Sequence, residues 1–429
     1  MPRCHRSLSQ PHDPDLSRML KVYIVTGIAF MLLPGTFVGV LNLLKISSAH
    51  TSGAADAGWI QAHGHAQIFG WLGTFILGIG YYAIPRLRLT RFSFTAAWTT
   101  YFLWIAGVLL RWAVGTWPFR WQILFPLAGV LELAAAAIFA GSVFLSRPRK
   151  QDGAWRESVV LITAAGWMMV AAVAVNAIES FRVKTSVFPL AFNQSYLALI
   201  TWGFVVPFIW GFLSRWTPPL LGLRKTHKPL VRPALTLLLI GVVLSFVWPL
   251  ASALVLLIAS IVFGVAIRYF EPSEKEPKLR GVHPLTPSLI RIAYVWSIVA
   301  AAIAIVAALH PIPNGYAGAS RHALTVGFFA ATVFTIGPRV LPAFFNVRHL
   351  WSTRLMAVSI ILLNIGCVIR VASQILAYEN IAPIAWRALP LSAGFEMAAV
   401  TMFAVNLLMT LTTGSPLEAV IASARANEA

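Results

Sequence analysis

Residues His65 to Pro85 read HAQIFGWLGTFILGIGYYAIP, and residues His322 to Pro342 read HALTVGFFAATVFTIGPRVLP. In both stretches a glycine follows the histidine by five residues, an aromatic residue by six, a second glycine by fifteen and a proline by twenty. A third stretch, Ala198 to Pro218, keeps the first glycine, an aromatic residue and the proline, but has alanine in place of the histidine. The pattern predicts one structural unit that is repeated three times, with a histidine in the first and third copies.

The composition is that of an integral membrane protein. The 429 residues are 58% hydrophobic and only 11% charged, and the mean hydropathy is +0.77. Soluble domains carry about 25% charged residues. Apolar windows of about 20 residues, the length that crosses a bilayer as a helix, recur along the chain. They predict twelve transmembrane helices at about residues 21–45, 59–84, 93–112, 122–146, 156–178, 191–214, 232–248, 251–270, 288–309, 321–344, 355–376 and 386–412.

The chain has a net charge of +19, and its basic residues are distributed according to the predicted topology of the helices. Lysine and arginine cluster in alternate loops, at residues 86–91, 147–156, 215–232 and 275–291, whereas the other loops carry few. This positive-inside pattern predicts cytoplasmic N and C termini. The predicted location of this multi-pass protein is the bacterial inner membrane. The basic residues thus mark the topology of a protein whose predicted partner is the lipid bilayer. They exclude nucleic acid as the predicted partner.

The predicted domain organisation is one membrane domain, residues 21–412, between a cytoplasmic tail at 1–20 and a second cytoplasmic tail at 413–429. The three four-helix units cover approximately residues 21–146, 156–270 and 288–412. The first tail is polar and lacks the apolar run of a signal peptide. Cys4 and Cys367, one in a tail and one in a helix, predict no disulfide framework.

Ionisable residues repeat together with the histidines. Helices three and eleven each carry a glycine followed four residues later by arginine, and helices four and twelve each carry a glutamate six residues after a proline. The directions of the helices bring all of these side chains to one depth near the outer surface. Such groups cost about 2.5–3.5 kcal/mol each inside a membrane and normally face a site or a partner. The predicted cofactor-binding residues are His65, His322, Arg111, Arg370, Glu132 and Glu396.

A haem fits this set of side chains. His65 and His322 would ligate the haem iron, Arg111 and Arg370 would neutralise the propionates, and the glutamates would orient these ligands. The sequence therefore predicts haem b. Without a cofactor, each histidine would bond a neighbouring carbonyl, the arginines would extend to the lipid head groups or pair with the glutamates, and the glycines would serve helix packing.

Three stretches of the chain resemble the NnrS family. They are His63-Gly64-His65, RHALTVG from Arg321 to Gly327, and NQSYLALITWGFVVPFIWGFLSRW from Asn193 to Trp216. NnrS proteins are twelve-helix membrane proteins of the nitric oxide and nitrosative-stress response, related to the main subunit of haem-copper oxidases. The resemblance implies a haem-copper-oxidase-like bundle of three pseudo-symmetric units, with a low-spin haem between helices two and ten. It also implies copper, for which His63 is a candidate ligand.

The departures from the oxidase pattern concern catalysis. Oxidases of this kind build a copper site from histidines of helices six and seven, and this chain has none in either predicted span. Ser320 stands where they have a second histidine on helix ten. A complete binuclear centre and terminal oxidase activity are therefore not expected. No residue marks a catalytic base or nucleophile, so the catalytic residues and the question of enzymatic activity stay open.

The sequence favours a haem-binding protein of the NnrS kind that responds to nitric oxide or another small ligand. Two alternatives remain. Internal repeats and membrane-buried charges are also typical of transporters. An electron-transfer or assembly subunit with a respiratory-complex partner would need no catalytic residues of its own.

Overall fold

The computed structural model describes residues 13–88, 90, 92–145, 156–279, 281–311, 314–345, 347 and 350–413. The outer parts of the predicted tails, residues 1–12 and 414–429, lie outside this range. The described residues form twelve long helices, several of which contain a π-helical segment. Their bounds are α1 Pro14–Ala49, α2 Ala57–Arg86, α3 Phe94–Thr116, α4 Trp121–Phe144, α5 Arg156–Arg182, α6 Leu190–Leu221, α7 Lys228–Leu244, α8 Pro249–Ala266, α9 Thr286–Leu309, α10 Gly315–Phe344, α11 Thr353–Tyr378 and α12 Ala385–Thr413.

The predicted all-helical membrane architecture is confirmed. Within the described ranges, eleven helices are long and apolar enough to cross a membrane. The remaining helix, α7, has 17 residues, slightly fewer than the about 20 that span a bilayer. We call the side of the bundle at which α1 begins the near face, and the side that carries the α1–α2, α3–α4 and α5–α6 connections the far face.

Several helix boundaries differ from the prediction: α6, for example, ends at Leu221 instead of 214, and α10 begins at Gly315 instead of 321. α1 begins at Pro14, within the predicted tail, because the Asp13 carboxylate accepts hydrogen bonds from the first-turn N–H groups and proline is favourable at a helix start. α7 ends at Leu244 instead of 248, and a turn of residues 245–248 leads into α8. Pro249 opens α8 for the same reason, since it has no N–H to leave unpaired.

The three helices that carry the sequence repeat form the inside of the bundle. In the most apolar window of α2, α6 and α10, 89%, 83% and 72% of the residues are buried, compared with at most 50% in the other membrane spans. The other helices pack around them, mostly on their neighbours in sequence, α12 also packs on α1, and a hydrogen bond between Trp296 and Asn364 joins α9 to α11. The bundle is therefore an outer layer of helices around an inner group of three.

A π-helical segment marks the same place in each inner helix. The segments are Ala66–Gly73 in α2, Leu199–Val205 in α6 and Ala323–Ala330 in α10. Each starts at the residue after the repeat position, which is His65, Ala198 and His322 in turn. The α6 segment contacts the other two. π-Helical turns are rare and occur mostly at functional sites, so the repeat extends to an unusual local geometry.

A glycine slot also recurs in all three units. A Cβ atom added to Gly107 of α3 would lie 2.8 Å from Cγ of Glu132, and one added to Gly366 of α11 would lie 2.9 Å from Cγ of Glu396. In the middle unit, Gly241 of α7 faces Leu256 of α8 in the same way, at 2.8 Å. The slot therefore holds a glutamate in the outer units and a leucine in the middle unit.

Candidate functional site

His65 belongs to a hydrogen-bonded cluster in the first unit. Its Nε2 lies 2.7 Å from Oε1 of Glu132, and the other carboxylate oxygen accepts a hydrogen bond of 3.2 Å from Nδ2 of Asn176 on α5. A carboxylate can only accept, so the imidazole hydrogen is on Nε2 of His65. All three side chains are buried, with exposed fractions of 6%, 0% and 0%. The nitrogen that would have to meet a metal is thus bonded to Glu132.

Arg111 lies in the same cluster. Its guanidinium carbon stands 4.1 Å from the ring centre of Phe125 and 5.3 Å from that of Phe188, and only 2% of the residue is exposed. Nη2 donates a 3.3 Å hydrogen bond to Oε1 of Gln61, and Glu132 is within electrostatic range. Arg111 is therefore a buried cation that is hydrogen-bonded to Gln61 and lies within electrostatic range of the Glu132 carboxylate.

His322 has a different arrangement in the third unit. Its Nδ1 lies 2.9 Å from the carbonyl oxygen of Gly318, one turn earlier in α10. A carbonyl only accepts, so Nδ1 carries the hydrogen and Nε2 is left as a free lone pair. The side chain is half-buried. A bond to a neighbouring carbonyl is expected of a histidine without a cofactor, and the same bond, with the other nitrogen available, also orients a histidine that ligates a metal.

His63 has the same arrangement as His322. Its Nδ1 lies 2.8 Å from the carbonyl oxygen of Gly35 in α1, and its ring fills the space above Gly39, where an added Cβ would lie 2.6 Å from the imidazole. His63 is half-buried and lies within electrostatic range of His322. At 1.5 Å per residue, both histidines lie about 10 Å below the far-face ends of their helices.

Arg370 and Glu396 complete this second cluster. Arg370 is within electrostatic range of His63, His322 and Glu396, and 8% of it is exposed. Among the described residues, no hydrogen-bond partner reaches Nη1 of Arg370 or Oε1 of Glu396. These buried polar atoms are therefore available to a further group, whereas Glu132 in the first unit uses both carboxylate oxygens.

The six predicted residues thus fall into two clusters. His65, Glu132 and Arg111 lie together in the first unit. His322, Arg370 and Glu396 lie together in the third, where they are joined by His63. The physical reason is the spacing of His63 and His65. Two residues along a helix correspond to a rotation of about 200°, so the two rings leave α2 on opposite sides. This spacing was visible in the sequence and could have separated the two clusters.

Other members of the clusters had weaker signals. Asn176 lies in an apolar stretch of α5, and nothing in the sequence ties it to Glu132. Gln61 precedes His65 by one turn, so its position on the same side of α2 could have been anticipated. Its Oε1 accepts from the Phe188 N–H at 2.9 Å, and its Nε2 donates to the Phe188 carbonyl at 2.8 Å. That contact joins α2 to the α5–α6 connection at the far face.

The second cluster has features that fit a haem. Among the described residues, neither imidazole makes a hydrogen bond through Nε2, and a buried guanidinium has an unused N–H group. A Cβ added to Gly64, between the two histidines of α2, would meet no side chain and no other helix among the described residues within 4 Å. For copper the fit is poor, because in the described part of the chain no three His, Cys, Asp or Glu side chains group closely enough to hold a metal ion.

Comparison with known proteins identifies the fold. A solved structure, determined by cryo-EM and described as a haem-copper terminal oxidase dimer, superposes with a TM-score of 0.72 at 12% sequence identity. The match covers 93% of this chain and 84% of that one. The chain has the haem-copper-oxidase fold. A family profile described as a domain of unknown function, DUF8744, matches residues 213–412. No curated protein sequence matches the chain.

Proposed function

We propose that the protein is a membrane haem protein in which His63 and His322 ligate the iron of a b-type haem. The observation that carries the proposal is the common state of the two rings. Each donates Nδ1–H to a backbone carbonyl, makes no hydrogen bond through Nε2 among the described residues and lies in electrostatic range of the other. The similarity of fold to a haem-copper oxidase supports it. His65, which the repeat alone had favoured, is engaged through Nε2 with Glu132.

Arg370 is the proposed cation for the haem propionates. Guanidinium groups bind carboxylates through paired N–H donors, and Nη1 of Arg370 has no acceptor among the described residues. Arg111 is not part of this haem site, because it lies with Glu132 in the first unit. Glu396 packs in the slot opposite Gly366 and lies within range of Arg370, so it would fix the position of the guanidinium.

A bound haem would supply reversible one-electron chemistry within the membrane. His63 and His322 together would hold the iron, and this arrangement would favour electron transfer over capture of a small ligand. The resemblance to NnrS proteins in the segments around His63 and Arg321 extends the proposal to the nitric oxide response.

The proposed location is a bacterial inner membrane with the near face in the cytoplasm. Described basic residues of the near face include Arg86, Arg224, Lys225 and Lys275, whereas Lys45, Arg182 and Lys184 lie toward the far face. Basic residues concentrate in cytoplasmic loops, so this distribution favours a cytoplasmic near face. The haem would then lie nearer the outer side of the membrane.

An absorbance spectrum of the purified protein tests the proposal. We expect the dithionite-reduced protein in detergent to show the sharp bands of a low-spin b haem, with close to one iron per chain by metal analysis of the same sample. Haem is to be supplied during expression, so that supply does not limit occupancy. A colourless, iron-free protein under these conditions would refute haem binding and favour a transporter.

Arg370 and Arg111 occupy equivalent positions of the repeat, but their replacement should affect the midpoint potential of the haem differently. Arg370→Gln removes a positive charge beside the iron, which favours the oxidised state. The midpoint potential should therefore fall by about 60 mV, the one-electron equivalent of a tenfold change in equilibrium constant. Arg111→Gln is the matched control and should leave the potential unchanged. Redox titration of the reduced haem bands measures both. Equal shifts in the two variants would contradict the assignment.

A further inference from the structure

The first-unit cluster contains several buried polar atoms without partners. Among the described residues, no hydrogen-bond partner reaches Nε and Nη1 of Arg111, the hydroxyl of Tyr196 or Oδ1 of Asn176. Arg111, Tyr196 and Asn176 are 2%, 4% and 0% exposed. Native proteins rarely leave buried donors and acceptors unpaired, so such a group of atoms points to a bound molecule.

The side chains that carry these atoms are neighbours of Glu132 or Phe188. Tyr196 of α6 lies within electrostatic range of both Arg111 and Glu132. Its ring and the Arg111 guanidinium both pack on Phe188, with centres 5.6 Å and 5.3 Å away. Asn176 is joined to Glu132 through its amide nitrogen, which leaves its carbonyl oxygen free. Helices α3, α5 and α6 thus contribute unpaired polar atoms around the Glu132 carboxylate of α4.

The chemistry of these atoms restricts the ligand. An anion would be attracted by Arg111 but repelled by the Glu132 carboxylate and the Asn176 carbonyl. A cation would be repelled by Arg111. A molecule that both donates and accepts satisfies every atom of the set. Buried water typically makes about three hydrogen bonds to otherwise unpaired polar groups, which matches the three side chains of this set.

We propose that the first unit holds a buried water site, in which water bridges Arg111, Tyr196 and Asn176 beside Glu132. The site is separate from the proposed haem ligands and lies on the opposite side of α2. Gln61 closes it toward the far face through its two hydrogen bonds to the Phe188 backbone and its bond from Arg111. The bound water gives the His65–Glu132 pair contact with exchangeable protons inside the membrane.

Thermal unfolding of Tyr196→Phe tests the site. If water satisfies the hydroxyl, its removal should lower the Tm of the full-length protein in detergent by about 1–3 °C. Tyr294→Phe is the matched control, because that buried hydroxyl donates directly to the Ser260 carbonyl at 2.5 Å. Its Tm should fall by a similar amount. An unchanged or higher Tm for Tyr196→Phe would overturn the proposal, since a dry, unpaired hydroxyl is better removed.

A double-mutant cycle tests the bridge itself. Tyr196→Phe is combined with Asn176→Leu, which keeps the volume of the side chain. No direct hydrogen bond joins the two side chains among the described contacts, so without water their effects should add. We expect the double variant to lose less than the sum of the single losses. Additive losses would overturn the bridging role. Neither the Tm comparison nor the double-mutant cycle requires bound haem. Their outcome therefore does not depend on whether the absorbance spectrum shows haem binding.

Discussion

Replacing His322 with alanine should abolish the low-spin haem spectrum. Nε2 of His322 is one of the two proposed iron ligands, and His63, the other, lies in electrostatic range of it. We expect the reduced bands to broaden to a high-spin form, or haem content to fall roughly tenfold or more, as when a metal site loses part of its ligand shell. His63→Ala should have the same effect. Spectra and iron content of the purified variants measure it.

His65→Gln separates this assignment from the one that the repeat favours. Glutamine keeps an N–H donor for Glu132 and removes the imidazole, so the first-unit cluster retains its main hydrogen bond. We expect a normal haem spectrum. Loss of the low-spin bands in His65→Gln, with the bands intact in His63→Ala, would show that the iron is held by His65 and would refute the pairing of His63 with His322.

The sequence predicted the architecture well, for a physical reason. A membrane helix must be apolar over about 20 residues and must pair its backbone groups internally, so hydropathy alone finds the spans. The repeat of glycine, aromatic residue and proline also identified α2, α6 and α10 as equivalent helices. What hydropathy could not fix was the turn at residues 245–248, where no charged residue interrupts the apolar run.

The candidate site was harder to predict, because a repeat shows which residues are equivalent and not which residues meet. His65 and His322 occupy equivalent positions, and each lies within its own unit. In the structure, the histidine that lies in electrostatic range of His322 is His63, which does not occupy the equivalent position of the repeat. The sequence contained the His63–His65 spacing, but the contact of His63 with Gly35 depends on how α1 packs.

The role of Asn176 and Tyr196 could not be derived from the sequence for a related reason. Both lie in the middle unit, which lacks the histidine and the glutamate of the repeat. They reach Glu132 because α5 and α6 pack beside α4 and α2. The first-unit cluster is therefore built across a unit boundary, and comparison of the units alone could not reveal it.

Glu132→Leu should be the most destabilising single substitution in the first unit. The change removes the carboxylate that receives hydrogen bonds from His65 and Asn176 and balances the charge of Arg111. Breaking a buried ionic pair by removal of one partner costs about 3–5 kcal/mol, because the other charge stays buried. We expect a loss of this size in the free energy of unfolding, measured by denaturant titration in detergent.

The middle unit shows why this loss would be electrostatic. Leu256 already fills the same slot opposite Gly241, so a leucine side chain is compatible with the local packing. Removing the unpaired cation as well, in the double variant Glu132→Leu with Arg111→Met, should therefore recover a large part of the lost stability, since apolar replacement of a whole buried pair is often neutral. If the double variant is as unstable as Glu132→Leu alone, the loss comes from packing or from the His65 and Asn176 hydrogen bonds, and Arg111 is not the partner that makes Glu132 necessary.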